Sequence, residues 1–366
     1  MKKVLCIYIV WLVIINLFAI AAQNRFNLNQ DTAYPWMQRE HFIADYPWNP
    51  IQLHARWDSF WYKDIAANGY SFKNLDSVSN IVYFPLYPFL TRLLAVMVGG
   101  DVELAGTLLS TLSTALGLIY LFKIVKEFHP DINPYLPVII LLTFPTAFFF
   151  NVMYTESLFL FLSTACFYYG FKRDFVKASI FGVLAALTRI TGVLLIIPLL
   201  WEYFSYNGFK KPFNKDLIAL LLIPFGSFCF FLYHYLAFGD FFLFLKVESL
   251  FGRAFHIDGS EFLPVTRPAL VNLLIDCMFV VVALVTSFFA LTRLRVSYGL
   301  YMIATIAIAL STGMIMSIGR YILVLCPLYI LLASIKSESV RFAYSLLSTL
   351  LLSMYITLFV NGYWAG

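Results

Sequence analysis

Long runs of apolar residues recur along the whole chain and are separated by short polar stretches. Many of the runs contain about 17 to 25 residues, the length that an α-helix needs to cross roughly 30 Å of hydrocarbon. Strands of a membrane β-barrel would alternate between apolar and polar residues, whereas stretches such as 217–231 do not. The pattern therefore predicts an all-α, polytopic membrane protein.

We expect about eleven spanning helices. The predicted spans are residues 4–22, 102–122, 134–151, 155–171, 176–190, 192–206, 216–237, 269–291, 298–316, 320–335 and 340–360. The first run follows Lys2 and Lys3 and contains the small pair Ala21-Ala22, so a cleaved signal peptide is an alternative. We interpret it as a retained helix because it is long for a signal peptide.

The composition agrees with a protein that lies almost wholly in the membrane. Hydrophobic residues make up 61% of the 366 residues and charged residues 12%, and the mean hydropathy is +0.82. A soluble domain is typically about 25% charged, so we predict a single transmembrane domain over residues 1–366. The net charge of +5 is explained by Lys and Arg between spans and does not indicate nucleic-acid binding.

The basic residues predict the orientation, because cytoplasmic loops are enriched in Lys and Arg. The clusters are Lys2/Lys3, Lys123/Lys126, Lys172/Arg173/Lys177, Lys210/Lys211/Lys215, Arg293/Arg295 and Lys336/Arg341. With the spans given above, all of them lie inside and the C-terminus lies outside. This count requires residues 83–98 to lie along the outer surface, and residues 176–206 to form two short helices broken near Arg189. If 83–98 crosses instead, Lys123 and Lys126 fall outside.

Two outside segments, residues 23–100 and 238–268, are too long to be simple connections, and long loops are usually functional or disordered. The first contains Trp36, Trp48, Trp57 and Trp61, apolar material that disordered segments lack. We therefore expect it to be ordered and to contain helices that lie against the membrane surface.

The stretch 56–70 of this loop contains a candidate catalytic residue. On a helix, Trp57, Trp61 and Asp64/Ile65 share one face, which would place Asp58 among aromatic rings just outside the bilayer. A carboxylate in that position can act as a general base for a hydroxyl group. Spacing alone equally allows Asp58 to cap the helix or to pair with Arg56.

Four motifs in order along the chain resemble those of a known family. The first comprises Arg56-Trp57-Asp58, Tyr62, Ile65-Ala66, Gly69-Tyr70 and Phe84-Pro85-Leu86-Tyr87-Pro88. The others are Phe144-Pro145 with Phe148-Phe149 and Tyr154-Thr155-Glu156-Ser157-Leu158, then Thr188-Arg189 with Gly192, then Arg320-Tyr321 with Pro327-Leu328. Together they resemble the mannosyltransferases that add the second mannose to glycosylphosphatidylinositol anchors, and the bacterial relatives of that family.

The resemblance implies a glycosyltransferase of the GT-C fold with a large first extracytoplasmic loop. Such enzymes transfer a hexose, here most simply mannose, from a polyprenyl-phosphate carrier such as dolichyl or undecaprenyl phosphate. By position, the acidic residue that acts in catalysis is Asp58, and the transfer is inverting. The chain is shorter than the eukaryotic members, so we expect a glycolipid or envelope glycan as acceptor and the bacterial inner membrane as location.

The predicted orientation brings four charged residues to the outer face: Asp58, Glu156, Arg189 and Arg320. Charges at membrane depth usually mark a site or an ion pair. The planar, permanently charged fork of arginine suits phosphate, so Arg189 and Arg320 are the candidate ligands of the donor phosphate. Alternatively, Arg189 pairs structurally with Glu156 or with a carbonyl group at a helix end, and Arg320 only extends to the interface. Candidate contacts to sugar or acceptor are Arg56, Trp57, Tyr62, Tyr70, Tyr154 and Glu156.

We predict no metal and no cofactor. His54, His234 and His256 lack the spacing of a metal triad, although the spacing of Asp58 and Asp64 leaves open a shared divalent ion. One rival function is a transporter or flippase of lipid-linked sugars, and a second is a structural membrane scaffold, which would not need charges that converge on one face. Transporters often consist of two related halves, which the sequence does not show.

Overall fold

The computed structural model of the chain describes residues 1–26, 49–208, 214–253, 267–312 and 315–365. Its α-helices are α1 Lys2–Arg25, α2 Pro50–Leu53, α3 Asp58–Asn68, α4 Leu86–Met97, α5 Val102–Phe128, α6 Tyr135–Leu142, α7 Glu156–Phe171, α8 Phe175–Ala186, α9 Ile196–Asn207, α10 Lys215–Leu221, α11 Ile223–Phe238, α12 Leu243–Glu248, α13 Arg267–Phe289, α14 Val296–Ser311, α15 Ile318–Leu323, α16 Cys326–Ala333 and α17 Glu338–Val360. Short 3-10 helices are Asn80–Val82, Ala147–Asn151, Ile190–Leu195 and Ser249–Phe251, and a π-helical turn is Ala290–Leu294. Within these ranges the protein is all-helical, as predicted. Trp36, Trp48, Lys210, Lys211 and His256, with parts of both predicted outside loops, lie outside the described residues.

Several described helices are long and apolar enough to cross a membrane. By length and composition there are 6 of them, Lys2–Arg25, Val102–Phe128, Ile190–Asn207, Lys215–Phe238, Ala269–Leu294 and Glu338–Val360. The chain is therefore a multi-pass membrane protein, but a count of about eleven spans is not confirmed. One reason is that apolar runs predicted as single spans are interrupted. The run 320–335 consists of α15 and α16 with Pro327 in the first turn of α16, where proline is tolerated because its missing N–H has no helical partner.

The predicted break near Arg189 is present. Helix α8 ends at Ala186, and α9 begins after the 3-10 helix Ile190–Leu195. The Phe175 and Tyr203 rings lie 5.4 Å apart, so the start of α8 meets the end of α9 and the two legs are antiparallel. A Cβ atom on Gly192 would overlap the carbonyl group of Ala185. Glycine at this motif position therefore allows the backbone of the returning leg to touch α8.

Helix α4 lies within residues 83–98, the apolar run that could either cross the membrane or lie along its outer surface. Its 12 residues span about 18 Å at 1.5 Å per residue, less than the roughly 30 Å of hydrocarbon. One face packs on α5, where the Tyr87 hydroxyl lies 2.8 Å from Ser110 Oγ. The other face exposes Phe89 and Val96. Both features suit a helix at the membrane surface, and that placement stays a prediction.

Basic residues gather at one end of the helix bundle. Lys172 pairs with Glu127 at 3.1 Å, and the Arg295 guanidinium lies 4.5 Å from the centre of the Phe171 ring. We call the end that carries Lys123/Lys126, Lys172/Arg173, Arg293/Arg295 and Lys336/Arg341 the basic end. Helix α17 starts there, and its 23 residues extend about 34 Å to the opposite end, which we call the site end.

Candidate active site

A cavity of about 1010 Å³ opens at the site end. Its charged lining residues are Asp58, Glu248, Arg189, Arg253 and Arg320. Aromatic side chains supply much of the remaining wall, namely Trp57, Phe60, Trp61, Tyr62, Tyr83, Phe84, Phe244, Phe251, Tyr321 and Trp364. The cavity therefore combines carboxylates, arginines and flat apolar surfaces, the mixture expected of a site for a charged, ring-containing ligand.

Asp58 is presented to this cavity by a strained turn. The preceding residue, Trp57, has φ +52°, a conformation that a bulky L-residue rarely adopts and that persists only where the surroundings enforce it. The buried Tyr154 hydroxyl donates to the Arg56 carbonyl oxygen at 3.2 Å and accepts from the Asp58 N–H at 3.0 Å. On the other side, Trp57 Nε1 donates to the Tyr363 carbonyl oxygen at 3.2 Å. The turn is thus held from two directions.

Arg320 connects Asp58 with Glu156. Its Nη1 lies 2.8 Å from Asp58 Oδ2 and its Nε 2.7 Å from Glu156 Oε1. Tyr83 donates a further hydrogen bond to Asp58 Oδ1 at 3.2 Å. The Asp58 side chain keeps 20% of its surface exposed, so the carboxylate is oriented by protein groups and still faces the cavity.

Glu156 is the buried centre of this arrangement, with a side-chain exposure of 0%. Arg189 Nη1 lies 2.8 Å from the same Oε1 atom that Arg320 contacts, and it also donates to Thr155 Oγ1 at 3.1 Å. A buried carboxylate without such partners would be strongly destabilising. The structural pairing of Arg189 with Glu156, weighed above as an alternative, is therefore present, and both arginines nonetheless line the cavity. Their contact with a donor phosphate stays a prediction.

The candidate contact residues divide into two groups. Trp57 and Tyr62 line the cavity, whereas Arg56, Tyr70, Tyr154 and Glu156 lie behind its wall. Arg56 Nη2 donates to the Val360 carbonyl oxygen at 3.2 Å, and the Tyr70 hydroxyl donates to the carbonyl oxygen of Tyr83 at 2.6 Å. For these four residues the hydrogen bonds favour a positioning role, and their contact with sugar or acceptor stays a prediction. The spacing of the motifs predicts that these residues are near the site. It does not predict whether their side chains face the cavity or lie behind its lining.

Two charged residues of the site were not recognised from the sequence. Arg253 donates from Nη1 to the Tyr321 hydroxyl at 2.6 Å, and no carboxylate of the described residues lies within ion-pair distance of it. Glu248, five positions earlier, accepts no side-chain hydrogen bond from the described residues. Burial raises the pKa of Glu248, with Arg253 opposing and Asp58 adding to the rise. The sequence feature that could have identified these two residues is the pair of opposite charges on either side of residues 249–252.

The C-terminal segment also contributes to the site. Trp364 lines the cavity, and its ring packs edge-on against Trp57 with the centroids 5.5 Å apart. Together with the hydrogen bonds from Arg56 and Trp57, this contact attaches the Asp58 turn to the end of α17. Nothing in the sequence pattern indicated this proximity, because the two segments lie near opposite ends of the chain.

The described residues contain no group of three or more His, Cys, Asp or Glu side chains that could hold a metal ion. Asp64 accepts hydrogen bonds from Asn68 at 2.8 Å and from Asn80 at 2.7 Å, so it organises the loop around Asn80. His54 is buried, which lowers its pKa to about 4. His234 lies 3.1 Å from the Ile81 carbonyl oxygen. These contacts give no support to a shared ion, and metal independence stays a prediction.

Comparison with solved structures identifies proteins of similar fold. ArnT from Cupriavidus metallidurans, solved with undecaprenyl phosphate bound, superimposes with a TM-score of 0.55 at 13% identity over 95% of this chain and 62% of ArnT. The oligosaccharyltransferase of Archaeoglobus fulgidus gives TM-scores of 0.49 in its apo form and 0.47 in complex with an inhibitory peptide and a dolichol-phosphate. The identities are 13% and 12%, and each alignment covers 98% of this chain and 56% of the enzyme. The chain thus spans roughly three fifths of the length of these proteins.

No model of a protein family matches the sequence, and no curated protein does. The similarity to ArnT shows fold alone, because the identity is low. At that level it agrees with the architecture that the motifs implied. The chain has the GT-C fold of membrane glycosyltransferases.

Proposed function

We propose that the protein is a membrane glycosyltransferase that moves a hexose, most simply mannose, from a polyprenyl-phosphate carrier to a glycolipid or envelope glycan. The observation that carries this proposal is the Asp58 carboxylate, oriented by Arg320 and Tyr83 at the wall of a cavity lined by arginines and aromatic rings. Its fold neighbour ArnT binds undecaprenyl phosphate, which supports a carrier of the same class here.

The proposed reaction is a single inverting displacement. Asp58 accepts the proton of the acceptor hydroxyl, and the hydroxyl oxygen forms a bond to the anomeric carbon of the donor sugar. The bond between that carbon and the phosphate oxygen breaks, and the electron pair leaves with the polyprenyl phosphate. Tyr83 and Arg320 contribute by fixing the carboxylate orientation, and a positioned base typically contributes 10²- to 10⁴-fold to the rate.

The arginines of the cavity suit the departing phosphate. Because the phosphate gains negative charge as the sugar leaves, cations placed beside it stabilise the transition state more than the bound substrate. Arg189 and Arg320 are already paired with carboxylates. Among the described residues, the Arg253 guanidinium donates a hydrogen bond only to the Tyr321 hydroxyl, so we assign it the strongest contact with the phosphate, supported by Arg189 and Arg320.

The distribution of charge suggests how the protein lies in the membrane. The basic end would face the cytoplasm under the positive-inside rule, which leaves Asp58 and the cavity on the extracytoplasmic face. A carrier lipid anchored in the outer leaflet presents its phosphate at that depth. We propose the bacterial cell membrane as the location, in keeping with a lipid-linked donor.

The function can be tested in cells by comparing envelope glycans and glycolipids with and without the gene by mass spectrometry. The proposal predicts the loss of one hexose from a defined glycan or lipid, restored by the wild-type gene and not by Asp58→Asn. An unchanged set of glycans, with lipid-linked donor accumulating on one leaflet, would favour a flippase instead.

A further inference from the structure

The carboxylates around the cavity are not equivalent. Asp58 is held by Arg320, and Glu156 is held by Arg189 and Arg320. Glu248 also faces the cavity, but no ion pair or side-chain hydrogen bond involving it exists among the described residues. A partly buried carboxylate without a partner is costly, so its retention beside an open cavity points to a partner that arrives with the substrate.

The segment carrying Glu248 is fixed at both sides. Helix α12 packs through Phe244 against Phe84, with ring centroids 5.6 Å apart. After Glu248 the chain turns at Gly252, where φ is +81°, and the Arg253 N–H donates to the Glu248 carbonyl oxygen at 3.2 Å. The contact of Arg253 with Tyr321 then anchors the segment to the wall that contains Arg320. The backbone at Glu248 is therefore held in place by contacts on both sides.

The surroundings of Glu248 restrict the chemistry of its partner. A carboxylate accepts hydrogen bonds and repels anions, and Asp58 adds a second negative charge on the same cavity. Trp61 and Phe251 lie nearby with their rings edge-to-face at 6.3 Å and offer flat apolar surfaces. A neutral ring with several hydroxyl groups fits both features. A second phosphate group at this position would meet repulsion, because Arg253 is assigned to the phosphate of the donor.

We propose that Glu248 binds the acceptor, and that the acceptor presents a neutral, polyhydroxylated sugar and not a phosphate group. This inference rests on the proposed glycosyl transfer and deepens it by naming the acceptor class. Glu248 accepts a hydrogen bond from a hydroxyl adjacent to the attacking one, and the attacking proton still passes to Asp58. Burial is the largest cause of the raised pKa of Glu248, and the nearby Arg253 opposes that rise without forming an ion pair with it.

The test uses two matched probes, octyl α-mannoside and its 6-phosphate, with the full-length protein in nanodiscs. Binding is followed by intrinsic tryptophan fluorescence, since Trp57, Trp61 and Trp364 line the cavity. We expect Glu248→Gln to weaken binding of the neutral probe about three- to tenfold, because a charge-assisted hydrogen bond becomes an ordinary one. The same variant should bind the phosphorylated probe more tightly than wild type does, because a repulsive charge has gone.

The opposite signs of the two changes distinguish a binding role from a structural one, which would alter both probes alike. Glu338→Gln, at a side chain 94% exposed at the basic end, is the control and should change neither. Equal binding of the neutral probe by wild type and Glu248→Gln, no binding of it by wild type, or tighter binding of the phosphorylated probe by wild type would each overturn the inference.

Donor cleavage, measured separately, keeps this inference distinct from the proposed function. If the donor is cleaved but wild type and Glu248→Gln bind each probe with equal affinity, the acceptor inference fails and the proposed function stands. If the probes show the crossed pattern but no donor is cleaved, a sugar-binding site exists and the transfer reaction is wrong.

Discussion

Arg320 Nη1 lies 2.8 Å from Asp58 Oδ2, which joins the first loop to the chain segment that follows α14. The same guanidinium holds Glu156 through Nε at 2.7 Å. Because one side chain fixes both carboxylates, the orientation of Asp58 depends on contacts made far from it in sequence. The arrangement therefore predicts that the same substitution at different arginines of the cavity will have different effects on stability and donor binding.

The three arginines of the cavity should respond differently to replacement. Arg189→Gln and Arg320→Gln remove a partner of the fully buried Glu156, and breaking a buried pair costs about 3 to 5 kcal/mol. We expect lower yield and melting temperature for both. Arg253→Gln leaves no described carboxylate unpaired, so it should fold normally and bind polyprenyl-phosphate sugar at least tenfold more weakly.

Arg92→Gln provides the control, because Arg92 is an exposed arginine of α4. It should behave as wild type in both melting and donor binding, both measured in detergent. Wild-type donor affinity in a well-folded Arg253→Gln protein would remove Arg253 from the phosphate site.

Tyr154 should act as a positioning residue. Tyr154→Phe deletes the hydroxyl that bridges the Arg56 carbonyl oxygen and the Asp58 N–H, so the strained Trp57 turn loses one support. We expect turnover to fall about tenfold, in line with the roughly 1 to 3 kcal/mol for a buried group left unpaired, while donor KM stays unchanged. Tyr120→Phe removes a hydroxyl that pairs with Tyr169 far from the site and should retain full turnover. A change in donor KM alone would instead assign Tyr154 to substrate contact.

Gly192 should be intolerant of even a small side chain. A Cβ atom there overlaps the backbone carbonyl group of Ala185, so Gly192→Ala must push apart the two legs around the Arg189 break. We expect a clear loss of melting temperature and of activity. In Gly170→Ala the added carbon meets only the end of the Leu199 side chain, which can rotate away, so its effect should be smaller. Equal effects of the two substitutions would mean that the close approach at Gly192 is not needed.

Much of this arrangement was predictable from hydrophobic patterning, and the reasons are physical. Apolar runs long enough to cross a bilayer predict helices, and basic clusters predict which helix ends share a face. Those two rules place Asp58, Glu156, Arg189 and Arg320 at the same face of the membrane. The two rules could not decide which arginine pairs with which carboxylate, because the position of Glu156 relative to the cavity depends on how the helices pack.

Other features left no periodic signal. Glu248 ends the short helix α12, and Arg253 follows it by five residues. Trp364 packs on Trp57, beside Asp58, because α17 returns the chain to the site end. The predicted number of spans is not confirmed, because single apolar runs, such as 320–335, are divided into two helices in the structure. The length of an apolar run does not show where a helix within it is interrupted.

The proposed orientation can be tested with cysteine labelling in a variant whose native cysteines are replaced by alanine. Asp76→Cys, exposed in the first loop at the site end, should react with a membrane-impermeant maleimide in intact cells. Glu338→Cys, at the basic end, should react only after the cells are permeabilised. The reverse pattern would place the cavity in the cytoplasm and exclude an extracytoplasmic reaction.

The central claim is that Asp58 catalyses transfer from a polyprenyl-phosphate sugar, and purified protein in nanodiscs tests it most directly. Undecaprenyl-phosphate mannose and octyl α-mannoside are supplied, and release of undecaprenyl phosphate together with formation of a dimannoside is followed by mass spectrometry. Wild type and Asp76→Asn should form both products, whereas Asp58→Asn, compared as folded protein, should form them roughly a hundredfold or more slowly. Absence of donor cleavage by wild type, or equal rates for Asp58→Asn and wild type, would contradict the account.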